Sequence, residues 1–335
     1  LTFVPRLPPT VCGILLFVYF LLPTPYLLSA ARTLYEVREV KPGVFVWIPE
    51  DVLDQEGDPQ FSRPGTAGFV VASNAVVVVN TTNSPFHARE LLYEIRQRTD
   101  LPVRYVINTD ADPDQMLGNE VFVDQDATII SSSPAQAAMR RYRDDLARRL
   151  DEDENWRLQG RMRGIHPTLP NQVFDEEMTL RVGSQEIRIR RVADGGMLGD
   201  AVVYLPAEKV LFLGRLFTNG YFPRLTSTDV ERWIGVLRDL ESWDVDVYVP
   251  GHGPPGDKKQ LAEFRGYLEW LVGQVQSRRE QGKTLAETRR EVKPLEEYNW
   301  RARELGMRAV EEVYRQLAAQ KPSAGPGSLP AASPR

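Results

Sequence analysis

Cysteine is almost absent: Cys12 is the one thiol in 335 residues. It lies in an N-terminal apolar stretch, so beyond it disulfides, thiolate-ligated zinc and cysteine nucleophiles are excluded. Histidine is nearly as scarce. His87, His166 and His252 are all there are, too few for a site built on a cluster of imidazoles. Positive charge is not in excess either, since 41 Lys and Arg stand against 46 Asp and Glu, a net charge of −5. A nucleic-acid partner held by a basic surface is therefore not expected. There is no Gly-x-Ser-x-Gly elbow, and Gly195-Gly196 lacks the length and the lysine of a phosphate loop.

Long apolar runs are confined to the N-terminus. Arg6 precedes an apolar stretch from Val11 to Leu22, followed by Pro23, Pro25 and Ser29-Ala30-Ala31. The pattern predicts a signal peptide over residues 1–31, cut after Ala31, and export to a periplasmic or extracellular space. The alternative is an uncut membrane segment, with association through residues 10–29.

What is present downstream is a double series of strands and helices. Val44–Ile48, Phe69–Ala72 and Ala75–Val79 read as strands, the last two joined by a turn at Ser73-Asn74. Ala88, Leu91, Leu92 and Ile95 share one helical face. A strand at Val103–Ile107 runs into a polar loop, Asn108–Asn119. A short strand near Thr128–Ile130 precedes a charged helix from about Pro134 to Gln159. The second half repeats the scheme. Met178–Val182 and Glu186–Arg190 pair through Gly183-Ser184, and Ala201–Leu205 and Lys209–Leu213 through Pro206-Ala207. A helix carries Trp233, Val236, Leu237 and Leu240; a strand Asp246–Val249 follows, and two amphipathic helices finish the fold. Residues 321–335 have no core-forming pattern and read as a disordered tail. Runs such as AVVVV and KVLFL need cover on both faces. The expected architecture is α/β, an αββα sandwich of two sheets back to back with helices outside.

Three segments carry a resemblance: VRYVINTDADPDQMLGN, GDAVVYLPAEKVLFLGRLF and VDVYVPGHGPPG. Their order resembles the metallo-β-lactamase superfamily, over roughly residues 35–320, with the look of its glyoxalase-II-like and exported hydrolase branches. The resemblance implies one or two metal ions between the sheets and metal-dependent hydrolysis. The ligand positions depart from it. Where the family reads His-x-His-x-Asp-His, this chain reads Asp110-Ala111-Asp112-Pro113-Asp114-Gln115. Gly196 stands where the next histidine belongs, Arg215 where the bridging aspartate belongs, and Asn80 replaces an acidic residue. Asp114 and His252 alone match.

A guanidinium has no free lone pair and stays charged at any working pH, so Arg215 cannot ligate a metal. The sequence thus predicts loss of the zinc site, no cofactor, no confidently named catalytic residue, and a non-catalytic binding or assembly role. The partner would be an unknown protein or small molecule. The alternative is a hydrolase of the same fold acting on an ester, thioester or lactam-like substrate. It would use Ca, Mg or Mn on Asp110, Asp112, Asp114 and His252. Against that, Gln115 stands where a calcium loop needs Gly, and Val121 where it needs Glu. Arg215 is expected at the end of its strand, bonded to at least one of the three aspartates, with His252 close by. His87 and His166 are expected at the surface, and Phe217–Arg224 (FTNGYFPR) as a wall of the cleft.

Overall fold

Four consecutive valines form β4 (Val76–Val79), and all four are fully buried. Val77 and Val79 face one apolar cluster, and Val76 and Val78 face another. Such a strand needs packing on both sides of its sheet. The computed structural model describes residues 35–50, 63–152, 162, 165–192, 199–226 and 228–319. The unit that carries the fold begins at Leu34. The first sheet takes its strands in chain order: β1 (Tyr35–Lys41), β2 (Val44–Pro49), β3 (Ala67–Val71), β4, β5 (Val103–Ile107), β6 (Thr128–Ser132) and β7 (Gln172–Phe174). Pairing is antiparallel up to β4 and parallel from there on.

The second sheet contains β8 (Glu177–Val182), β9 (Gln185–Arg191), β10 (Ala201–Leu205), β11 (Val210–Thr218) and β12 (Val247–His252). Their spatial order is β12-β11-β10-β9-β8, with β11 and β12 parallel and the rest antiparallel. The sheets pack through Val46, Val77, Ile107 and Ile130 on one side and Ile189, Val203 and Phe212 on the other. Gly68 permits a close approach: a Cβ there would stand 2.2 Å from the Phe212 ring.

Helices close both outer faces. α1 (Pro85–Arg96) starts on a Ser84 cap and buries Ala88, Leu91 and Ile95 against the first sheet. The short α2 (Pro113–Met116) and α3 (Asn119–Val123) follow, then α4 (Ser133–Asp151). α5 (Val230–Glu241), α6 (Lys258–Glu280) and α9 (Arg303–Ala319) cover the second sheet in one continuous core. This is the expected αββα sandwich.

Several boundaries differ from expectation. Asn108–Asn119 is not a plain loop but holds α2, because Asp112 supplies extended backbone before Pro113, whose fixed φ suits the first helical turn. The charged helix is described to Asp151, and its expected end at Gln159 lies outside the described residues. Between the two amphipathic C-terminal helices stand α7 (Leu285–Glu291), started by a Thr284–Glu287 capping box, and α8 (Pro294–Glu297). Residues 1–31 and 321–335 lie outside the described residues. No described helix is long and apolar enough to cross a membrane.

Candidate functional site

The acidic loop leaves β5 and is tied at once to the second sheet, with the Ala201 N–H donating to Thr109 O at 2.7 Å. Asn80, at the end of β4, has φ +63°. Its side-chain oxygen accepts from the Thr109 N–H at 2.9 Å. Thr109 Oγ1 in turn donates to Asp110 Oδ2 at 2.8 Å. Asp110 is buried. Its other oxygen accepts from the Asp112 N–H at 3.0 Å, and Oδ2 also accepts from the Arg215 N–H at 3.3 Å. Burial pushes the Asp110 carboxyl up to about 8; Asp112 and Asp200 add repulsion and Arg215 opposes them.

Gly214 makes this approach of β11 possible. It has φ +51°, and a Cβ there would stand 2.1 Å from Thr109 Oγ1 and 2.5 Å from Asp110 Oδ2. β11 shifts register on both sides of Gly214 as it pairs with β12. It then runs on to Thr218, so Arg215 lies inside a longer strand and not at its expected end. The irregular register turns Arg215 toward the acidic loop.

The Arg215 guanidinium makes the central contacts. Nε donates to the two carboxylate oxygens of Asp200 at 2.8 and 3.0 Å. Nη1 reaches Asp112 Oδ1 at 3.4 Å. Burial disfavours the cation, but the charges of Asp112 and Asp200 outweigh it and hold Arg215 above its ordinary range. Burial raises Asp200, with Arg215 opposing. On the other side of the cleft His252 Nε2 lies 2.6 Å from Asp114 Oδ2. Burial pushes Asp114 up, yet the His252 hydrogen bond and charge, with Arg224 nearby, bring it below the ordinary carboxylate range.

Gln115 is a strut. Its Nε2 donates to Gly251 O at 2.9 Å, fixing α2 to the turn that carries His252. Gly196 lies outside the described residues.

The expected bond from Arg215 to the acidic loop is therefore present, and His252 faces the same cleft. The main partner of Arg215 is Asp200, just before β10, a residue the sequence reading does not single out. The three aspartates are each engaged: Arg215 bonds Asp110 through its main chain and Asp112 through its guanidinium, and His252 bonds Asp114. Among the described residues, no three His, Cys, Asp or Glu side chains form a group that could hold a metal ion.

A shallow cleft with an enclosed volume of about 50 Å³, open to solvent, lies over these pairs. Asp112, Asp114, Arg215, His252, Arg63 and Arg224 supply its polar lining. Tyr221, Phe222, Pro223, Trp233, Ala302 and Leu305 supply its apolar wall. The segment FTNGYFPR thus forms part of the wall, as expected, while Arg63 and the contributions of the C-terminal helices have no signal in the sequence. Arg63 pairs with Glu304 at 2.9 Å. Arg224 is exposed, with no hydrogen bond or ion pair to another described residue. His166 is at the surface. His87 corrects the surface expectation: it is half-buried in the first turn of α1, with Nδ1 2.8 Å from Asn83 Oδ1. Burial pushes it down to about 4.

Comparison with known proteins points one way. The profile of the metallo-beta-lactamase superfamily matches residues 62–252. A linear primary-alkylsulfatase from Pseudomonas sp. (strain ATCC 19151) is 21% identical over 225 residues, 58% of this chain. The chain spans 42% of the length of that relative. Among solved structures, a metallo-beta-lactamase from Pontibacter korlensis superposes with a TM-score of 0.55 at 21% identity. It covers 70% of this chain and 99% of its own. TMB-1 gives 0.53 at 19%, with 70% and 97% covered.

Proposed function

The chain belongs to the metallo-beta-lactamase superfamily, and from that premise we infer that its cleft binds a ligand without metal-activated water. The observation that carries this reading is the Arg215–Asp200 pair at 2.8 Å, at the position where the superfamily pattern has a bridging carboxylate. A zinc pair would meet a fixed guanidinium there. Lowering the pKa of a water to about 7 takes three protein ligands and an open position. Here Asp114 is bonded to His252, Asp112 faces Arg215, and Asp110 already accepts three hydrogen bonds. These residues do not fit zinc, and the chemistry left to the cleft is recognition.

The ligand class we propose is an anion with an apolar tail. Arg215 pairs with Asp112 and Asp200, and His252 is bonded to Asp114, whereas the exposed Arg224 at the rim acts on Asp114 only at a distance and makes no ion pair with another described residue. Phe222, Pro223, Ala302 and Leu305 offer apolar surface beside it. The relative is named for alkylsulfatase activity, and an alkyl sulfate has this make-up. Octyl sulfate, titrated calorimetrically below its micelle-forming concentration, should bind saturably. Arg224→Ala should weaken it about tenfold, the scale of one charge-assisted hydrogen bond. No sulfate should be released, and purified protein should hold less than one equivalent of zinc. Chelator-sensitive release of sulfate would overturn the reading in favour of a hydrolase with an altered metal site. Absence of saturable binding would overturn the ligand class.

Export completes the proposal. The mature N-terminus should be Arg32, read by N-terminal sequencing, whereas retained Cys12 would mean anchoring through residues 10–29.

A further inference from the structure

We propose that the chain pairs with a second copy of itself through β8. The strands would run antiparallel about a two-fold axis at Thr179 and join two five-stranded sheets into one. This is independent of what the cleft binds.

β8 is the last strand of its sheet, and among the described residues it pairs with β9 alone. The two strands close through Gly183-Ser184, with Gly183 at φ +63°. In a two-residue hairpin the pair flanking the turn, here Val182 and Gln185, exchanges both main-chain bonds, and so does every second pair below it. Leu180–Ile187 and Met178–Ile189 are those pairs. The N–H and C=O groups of Glu177, Thr179 and Arg181 therefore point to the free edge. Symmetric pairing at Thr179 uses all three residues.

Charge selects that register. Glu177 would stand opposite the partner's Arg181, and the partner's Glu177 opposite Arg181, two favourable cross-strand pairs on the outer face. In-register parallel pairing would set Glu177 on the partner's Glu177 and Arg181 on the partner's Arg181. A two-residue slip loses the ion pairs. Within one copy Glu177 has no hydrogen bond or ion pair to another described residue. Arg181 is 74% exposed, with Glu186 as its ion-pair partner at 2.7 Å. On the inner face Met178 would meet the partner's Leu180. Both are half-buried and pack at the margin of the inter-sheet core.

Sheet edges that must stay single are protected by proline, bulges, inward-pointing charge, or charged side chains, Lys above all, along the edge. β8, Glu-Met-Thr-Leu-Arg-Val, has no proline, bulge or inward charge, and its two exposed charges are of opposite sign, so that they attract rather than repel a second copy in the two-fold register.

Sedimentation equilibrium on the full chain tests the pairing, with a mass twice that of one chain expected at micromolar concentration. Glu177→Arg and Arg181→Glu should each shift the protein to monomer, checked for native fold by circular dichroism. Mixed in equal amounts, the two variants should pair again, because each supplies the charges the other lacks. Thr179→Pro removes the central outward N–H and should also give monomer. Raising the wild-type concentration should slow hydrogen exchange at the amides of Glu177, Thr179 and Arg181. A wild-type monomer, a dimer that survives all three substitutions, a mixture that fails to pair, or exchange independent of concentration would overturn the proposal.

Discussion

Asp200 has a side chain only 2% exposed, and Arg215 is the cation bonded to it. Arg215→Ala would strand that carboxylate, and breaking a buried pair from one side costs about 3–5 kcal/mol. Urea denaturation at pH 7 should show a loss of that size. The loss should shrink at acid pH, where Asp200 can take up a proton instead. Asp110 gives a slope of its own. Its folded value of about 8 lies above the ordinary 3.8, so the folded chain holds a proton that the unfolded chain releases. That stability is fully present below pH 3.8 and is lost as pH rises to about 8. Wild-type stability should fall between pH 6.5 and 8, and Asp110→Asn should flatten the slope. His87 acts in the opposite sense. Its folded value of about 4 lies below 6.5, so its contribution is lost as pH falls from 6.5 to 4. His87→Gln should remove that acid-side loss in a titration of thermal midpoint against pH. At this scale the sequence reveals the substitution of Arg215 for a carboxylate, because a ligand pattern marks the place. It does not reveal Asp200. A counter-ion has no spacing rule, and only the packing of β10 beside β11 sets this one against Arg215.

Among the strands and helices, β11 departs furthest from its sequence reading. KVLFL marks its start, but the strand continues through Gly214 to Thr218, where small and charged residues interrupt the apolar pattern. The continuation depends on a left-handed residue that lets two backbones meet. Gly214→Ala should cost about 1–3 kcal/mol for the clash and should disturb the Arg215–Asp110 contact. The check is a two-dimensional NMR spectrum, with shifts concentrated at Thr109, Asp110 and Arg215. α2 escaped sequence reasoning for another reason. Four residues are too few to show helical periodicity. The central valine strands and the α5 face were readable because burial on two sides or on one stripe leaves a clear pattern. Thr82, buried with φ +67°, is a strained position for a β-branched residue and has no mark in the sequence.

At the scale of the molecule, the helices beyond His252 belong to the same core as the second sheet. Val292, Ala309, Val310, Val313 and Leu317 are buried there with Phe222 and Phe264. Full burial of a Val or Leu side chain stabilises by about 1.5–3 kcal/mol, so a chain ended at Glu280 should lose its single sharp thermal transition. It should also lose octyl sulfate binding, since Ala302 and Leu305 line the cleft. Layer order was legible in the sequence because each layer has its own hydrophobic period. The closing of the cleft by the last helix was not, because that contact joins residues some eighty positions apart. The Arg215–Asp200 pair has a further consequence. A guanidinium is synthesised with the chain, whereas a metal must be acquired after it. On the proposed reading, the site would have no maturation step, no competition among ions of similar size and no half-loaded population. Protein made in metal-starved or metal-rich cells should be one species, and it should refold from denaturant at the same rate with or without added divalent ions.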